Sequence, residues 1–81
     1  MKVTVKYFGM SREVVGLREE EVSLTEPSLL KDLLVKIFST HPALEPMKST
    51  LRAFVNGRWG SDSVELKDKD QVAFIPPVGG G

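Results

Sequence analysis

The last four residues are Val78, Gly79, Gly80 and Gly81. Their chemistry is that of a bare backbone ending in a carboxylate. Glycine makes up about 7% of average sequence, so three in a row at the end is a chance of about three in ten thousand, which singles the tail out. A carboxylate is unreactive until it is activated, for example as an acyl-adenylate. The site that activates it must be narrow, because it has to keep water from that intermediate. Only a chain without Cβ atoms threads such a channel closely, and glycine accepts any backbone conformation. Pro76 and Pro77 favour a stiff, extended exit from the preceding segment. Six residues from Pro76 to Gly81 reach up to about 20 Å. Gly81 is therefore the candidate reactive residue, Gly79 and Gly80 the threading residues, and everything before them a handle.

Other residue types offer less. The chain has no cysteine. That removes disulfides, thiolate metal sites and a cysteine nucleophile, so any sulfur must be carried elsewhere than on a side-chain thiol. His41 is the single histidine and precedes Pro42. It has no partner at ligand spacing, so no metal site is expected and a surface or capping role is. Asp68 and Asp70 flank a turn, and two exposed carboxylates do not make an acid–base pair. No phosphate loop is present, so ATP, if used, must be bound by a partner.

The elements that position the tail are read from periodicity. Lys2 to Phe8 alternates, with Val3, Val5 and Tyr7 on one side and Lys2, Thr4, Lys6 and Phe8 on the other. Gly9 to Ser11 is expected to break this strand, and Arg12 to Gly16 to form a short helical turn ended by glycine. Glu20 to Leu24 alternates as a second strand, its glutamates (Glu19, Glu20, Glu21) reading as a solvated edge. Thr25-Glu26-Pro27-Ser28 is a helix-start signal with Pro27 suited to the first position. Leu30, Leu33, Leu34, Ile37 and Phe38 follow at helical spacing, and Pro42 and Pro46 prevent continuation. Leu51 to Val55 is a third strand, Asn56-Gly57 a strong turn pair, and Arg58 to Gly60 a short return strand. Asp68-Lys69-Asp70 turns the chain into a last strand, Gln71 to Ile75, which the prolines end.

One helix covers only one face of a sheet. The simplest arrangement places the first strand beside the last in a mixed sheet. This predicts an α+β, β-grasp (ubiquitin-like) fold over residues 1–77, with the main helix on one face and a flexible glycine tail over 78–81. Phe8 and Ile75 then share the uncovered face at the root of the tail, and Trp59 beside the Asn-Gly turn joins them. An exposed aromatic–aliphatic patch there is an interface by ordinary rules. The competing expectation is that Trp59 and Phe8 fold back as satellite core.

Composition narrows the class. A chain of 81 residues is one domain, and one of this size buries roughly 60% of its unfolded surface, leaving no room for both a deep pocket and a stable core. Lys plus Arg equals Asp plus Glu at 11 each, which gives no basic footprint for nucleic acid. No stretch approaches the ~20 apolar residues of a membrane span. Met1 to Val5 reads as strand rather than as an apolar leader, so the cytoplasm is the expected location.

Three stretches together resemble the small, sulfur-carrying subunit of molybdopterin synthase and its thiamine-pathway relatives. They are Lys2 to Phe8, Arg12-Glu13-Val14-Val15-Gly16, and Leu66 through Asp68-Lys69-Asp70-Gln71-Val72 and Pro76-Pro77-Val78 to Gly80-Gly81. The resemblance implies that an E1-like adenylyltransferase binds the β-grasp face and adenylates Gly81 with ATP. Sulfur then displaces AMP to give a Gly81 thiocarboxylate, which the synthase's large subunit uses to build the dithiolene. It also implies that Phe8, Trp59 and Ile75 form the docking surface, with Pro76, Pro77 and Val78 following into the partner. The chain would bind no cofactor and have no catalytic side chain of its own, and would be a monomer when free. Two departures stand out. Lys69 occupies a position where the family usually has glycine, and Gly79 replaces a commoner Ser, Thr or Ala.

Two other readings compete. The same tail chemistry serves ubiquitin-like modifiers linked to lysines and carriers that donate sulfur to tRNA. A plain β-grasp interaction module with an inert tail is the alternative from a different class. Thiamine-pathway carriers share the Gly-Gly end but are typically shorter and lack the Pro-Pro-Val approach.

Overall fold

Alternation along β1 (Lys2–Tyr7) places Val3, Val5 and Tyr7 in the core of the computed structural model. The structure describes residues 1–75. Pro76, Pro77, Val78, Gly79, Gly80 and Gly81, and with them the expected boundary after residue 77, lie outside the described residues. β1 leads into α1 (Gly9–Val15), then β2 (Glu19–Ser23), α2 (Leu30–Thr40), a 3-10 helix (Pro42–Met47), β3 (Arg52–Val55), β4 (Arg58–Trp59) and β5 (Gln71–Ile75).

The sheet order is β2-β1-β5-β3-β4. β1 pairs parallel to β5, with Val5 opposite Val72 and Tyr7 opposite Phe74. β2 flanks β1 and β3 flanks β5, both antiparallel. This is the mixed sheet with its first and last strands adjacent. α2 lies on one face and buries Leu30, Leu33 and Ile37 against Val3, Val5, Tyr7, Val72 and Phe74.

Two turns fix β5. Asn56 and Gly57 take φ of 51° and 82°, the left-handed pair that suits a two-residue hairpin. The Asn56 side chain is tied to β5, accepting from Gln71 N–H and donating to Asp70 Oδ1, each at 2.9 Å. At the other turn Asp68 Oδ1 accepts from Lys2 N–H at 2.8 Å, and Asp70 Oδ2 from Lys67 N–H at 2.8 Å. Asp68 and Asp70 are thus turn carboxylates, as read. Lys69 between them has φ of 71°, which is why glycine suits this position.

Several boundaries differ from expectation. α2 begins at Leu30, not Pro27. Its first N–H groups find partners far along the chain: Leu30 N–H donates to Val64 O at 2.8 Å and Lys31 N–H to Asp62 O at 3.1 Å. Asp32 Oδ2 closes the start by accepting from Leu29 N–H at 2.8 Å. Gly9 to Ser11 do end the first strand, as read, but they are themselves the first turn of α1, which starts at Gly9 and not at Arg12. Its end at Gly16, with φ of 82°, is as read. Pro42 and Pro46 stop α2 but sit within the 3-10 helix, which buries Leu44.

The glutamate triplet is not uniformly solvated. Glu20 lies opposite Val5 and shares the covered side with Val22. It accepts a hydrogen bond from the buried Tyr7 hydroxyl at 2.5 Å and lies 2.6 Å from His41 Nε2. His41 caps α2, donating its N–H to Ile37 O at 2.8 Å. The Tyr7 ring meets the His41 ring edge-on at 5.9 Å. Burial, and then the Glu20 carboxylate, push the Tyr7 phenol well above its ordinary range. His41 has the capping role expected of it, and in addition joins α2 to the sheet edge.

Candidate functional site

The face of the sheet that α2 leaves bare carries the residues of interest. Register assigns them to rows. Lys6 lies opposite Ala73, Ala73 opposite Phe54, and Phe54 opposite Trp59. One step along, Ile75 lies opposite Arg52, and Phe8 continues β1 past the Tyr7–Phe74 pair. Phe8 is 46% exposed, Ile75 39% and Trp59 59%. The satellite-core alternative for Phe8 and Trp59 therefore fails: both rings stand in solvent.

Phe8 and Ile75 come together at the end of β5, where the chain runs on to residue 76. The anchor is Ser11, which is fully buried. Its hydroxyl donates to Phe8 O at 2.7 Å and lies 3.3 Å from Phe74 O. Phe8 N–H donates to Phe74 O at 3.3 Å. A small polar residue in the first turn of α1 thus holds the Phe8 backbone against β5.

Trp59 stands apart from this pair, on the edge strand. Two residues missed in the sequence bridge the distance. Phe54 meets Trp59 ring-to-edge, with centroids 6.0 Å apart at 89°. The Arg52 guanidinium sits over the Trp59 ring at 5.4 Å. Both were legible in principle: a two-residue turn at Asn56-Gly57 sets Phe54 opposite Trp59, and Ala53 in the core turns Phe54 and Arg52 outward. The patch is thus an apolar strip from Phe8 to Trp59, edged by Lys6 and Arg52.

This strip holds, among the described residues, no acid, base or nucleophile in a cleft. Among the described residues no group of three or more His, Cys, Asp or Glu is placed to hold a metal ion, and no helix is long and apolar enough to cross a membrane. The reactive candidate, Gly81, and its neighbours Gly79 and Gly80 lie outside the described residues, as do Pro76, Pro77 and Val78.

Sheet order, the single covering helix and the bare apolar face define a ubiquitin-like β-grasp domain. A putative molybdopterin converting factor, subunit 1, from Pyrococcus furiosus superposes with a TM-score of 0.87 at 36% identity, covering 95% of this chain and 98% of that one. SAMP1 from Haloferax volcanii gives 0.90 at 26% identity over the whole of both chains. Residues 5–81 match the ThiS family, and the chain belongs to it. A curated relative from Chlamydomonas reinhardtii, named molybdopterin synthase sulfur carrier subunit, is 40% identical over 100% of both chains. The human protein of that name is 30% identical over 99% of this chain and 94% of its own.

Proposed function

We propose that this chain is the sulfur-carrier subunit of a molybdopterin synthase and that its working group is the carboxylate of Gly81. The observation that carries the reading is the end-to-end match to relatives of that name, 40% identical in one case. The apolar strip supports it, because it lies where β5 hands on to residues 76–81. A partner that grips Phe8, Ile75, Phe54 and Trp59 would meet the tail at a fixed point.

The chemistry balances without a side-chain catalyst on this chain. A carboxylate oxygen of Gly81 attacks the α-phosphorus of ATP held by an E1-like adenylyltransferase, and pyrophosphate leaves. A sulfide-level nucleophile then attacks the acyl carbon, and AMP departs with the former carboxylate oxygen. In the large synthase subunit the thiocarboxylate sulfur attacks an electrophilic carbon of the substrate and displaces an oxygen leaving group, forming a thioester. Water then hydrolyses the thioester at the acyl carbon, which leaves the sulfur on the substrate as a thiol and restores the Gly81 carboxylate. Gly79 and Gly80 give the tail the slender profile that a water-excluding channel requires.

A second reading has one observation in its favour. The Haloferax volcanii neighbours are named SAMP1 and small archaeal modifier protein 1. In that reading the activated Gly81 is passed to a lysine amine.

Intact mass spectrometry after incubation with an E1-like enzyme, ATP and a sulfur donor tests the proposal. The expected product is the chain with one oxygen replaced by sulfur at its C-terminus. Addition of one alanine after Gly81 is expected to abolish that product. An unchanged mass with several such enzymes, or full activity of the extended chain, rejects the proposal. Adducts to lysine-bearing proteins without the sulfur product favour the modifier.

A further inference from the structure

On the covered side of the molecule, a groove of about 570 Å³ runs between α2 and the β3–β4 hairpin. That volume is in the range of sites that take a drug-sized group or a few side chains. Leu34, Phe38, Leu51 and Ala53 line it, with Val35 and Trp59 at its rim. Val35 is 72% exposed, on a helix whose neighbouring positions Lys31, Lys36 and Ser39 are polar. The groove's width is fixed by Gly60. A Cβ there would come within 2.9 Å of Leu30 Cδ2 and 3.1 Å of Val55 Cγ2, so the hairpin rests directly on α2.

The groove is electrostatically one-sided. Its lining carries Lys31, Lys48 and Arg52 against the single carboxylate of Asp62, in a chain whose net charge is zero. Two of these cations are parked on aromatic rings beside the apolar floor. Lys48 Nζ lies 5.6 Å from the Phe38 centroid, and Arg52 sits over Trp59. Lys48 also faces Glu45 at 3.8 Å, but both side chains are more than half exposed, and such a pair holds its partner weakly. An occupant carboxylate can therefore engage Lys48.

We propose that this groove docks an acidic segment of a partner protein, in which a bulky apolar side chain fills the floor and flanking carboxylates meet Lys31, Lys48 and Arg52. The charge sign selects the partner, and the preformed apolar floor anchors it. The groove shares Trp59 and Arg52, at the sheet edge, with the far end of the strip, whereas Phe8 and Ile75 lie on the opposite face of the sheet and outside it. A partner held here leaves the root of the tail free. The inference stands whether or not Gly81 carries sulfur.

The test uses the full-length, 15N-labelled chain and the peptide acetyl-Glu-Asp-Leu-Phe-Glu-Asp-amide, with acetyl-Lys-Lys-Leu-Phe-Lys-Lys-amide as control. The acidic peptide is expected to give saturable shifts at Leu34, Val35, Phe38 and Ser61, weakening as salt rises. Lys48→Glu and Val35→Glu, both surface changes that leave the core intact, are each expected to weaken it by about tenfold or more. Absence of groove shifts, equal binding of the basic peptide, or shifts confined to Phe8 and Ile75 would overturn the proposal. Groove shifts that follow protein concentration without peptide would assign the groove to a second copy. Shifts of residues 76–81 on Val35→Glu, again without peptide, would assign it to the chain's own end. Either result also overturns the proposal.

Discussion

The two faces of the sheet are built from the same strands, yet they follow different rules. Under α2, every inward position of β1 and β5 is apolar and sealed: Val3, Val5, Tyr7, Val72 and Phe74 are at most 1% exposed. On the bare face the same alternation sets Lys2, Thr4 and Lys6 outward, and then departs from it at Phe8, Phe54, Trp59 and Ile75. Folding explains the first face completely. It does not require the second, where polar residues would serve the domain equally well. The contrast separates apolar residues that the fold buries from apolar residues that it leaves in solvent.

The contrast is sharpest at Phe74 and Phe8, which are joined by a backbone hydrogen bond. Phe74→Ala is expected to cost about 3–5 kcal/mol of stability, read from the urea midpoint, because it leaves a cavity against Tyr7 and α2. Phe8→Ala and Trp59→Ala should shift stability by no more than about 0.5 kcal/mol. Each should weaken binding of an E1-like partner by about tenfold or more, or ~1.4 kcal/mol, measured by calorimetry. Equal stability losses at Phe8 and Phe74 would erase the distinction.

Tyr7 tests whether the covered face is sealed at its polar end as well. Tyr7→Phe removes the hydroxyl that donates to Glu20 and is expected to cost about 1–2 kcal/mol. It should also change the alkaline limb. The folded phenol is held above its ordinary value of 10.0, so the unfolded chain releases this proton first. The stabilisation is complete below that pH and is lost as pH rises through and beyond it. Wild type should therefore lose stability faster than Tyr7→Phe above pH 10.0, as followed by thermal melts. Parallel curves would contradict the assignment.

The smallest effect is expected at a turn that belongs to neither face. Lys69→Gly relieves a left-handed backbone and should add up to about 1 kcal/mol without changing partner affinity. A change in affinity would mean that this turn belongs to the docking surface.

Much of this was legible in the sequence because it is local. Period-two alternation revealed β1 and β5, the Asn56-Gly57 pair gave the hairpin, and the mismatch at Phe8 marked the bare face. What escaped depends on distant partners. The start of α2 is set by carbonyls of Asp62 and Val64, some thirty positions away, so Pro27 was a misleading local signal. Glu20 looked like one of three solvated glutamates until Tyr7 and His41 converged on it from separate elements. Phe54 read only as one residue of the third strand, and only the pairing across the turn reveals that it backs Trp59.

The parallel pairing of β1 with β5 has a mechanical consequence. Tension applied at Ile75 along the axis of β5 loads a strand gripped on both sides, by β1 and by β3. The cross-strand bonds lie across that line of force and share the load together, where an edge strand peeled from its end would surrender them one at a time. β5 is thus the strand of this sheet best placed to bear tension along its own axis.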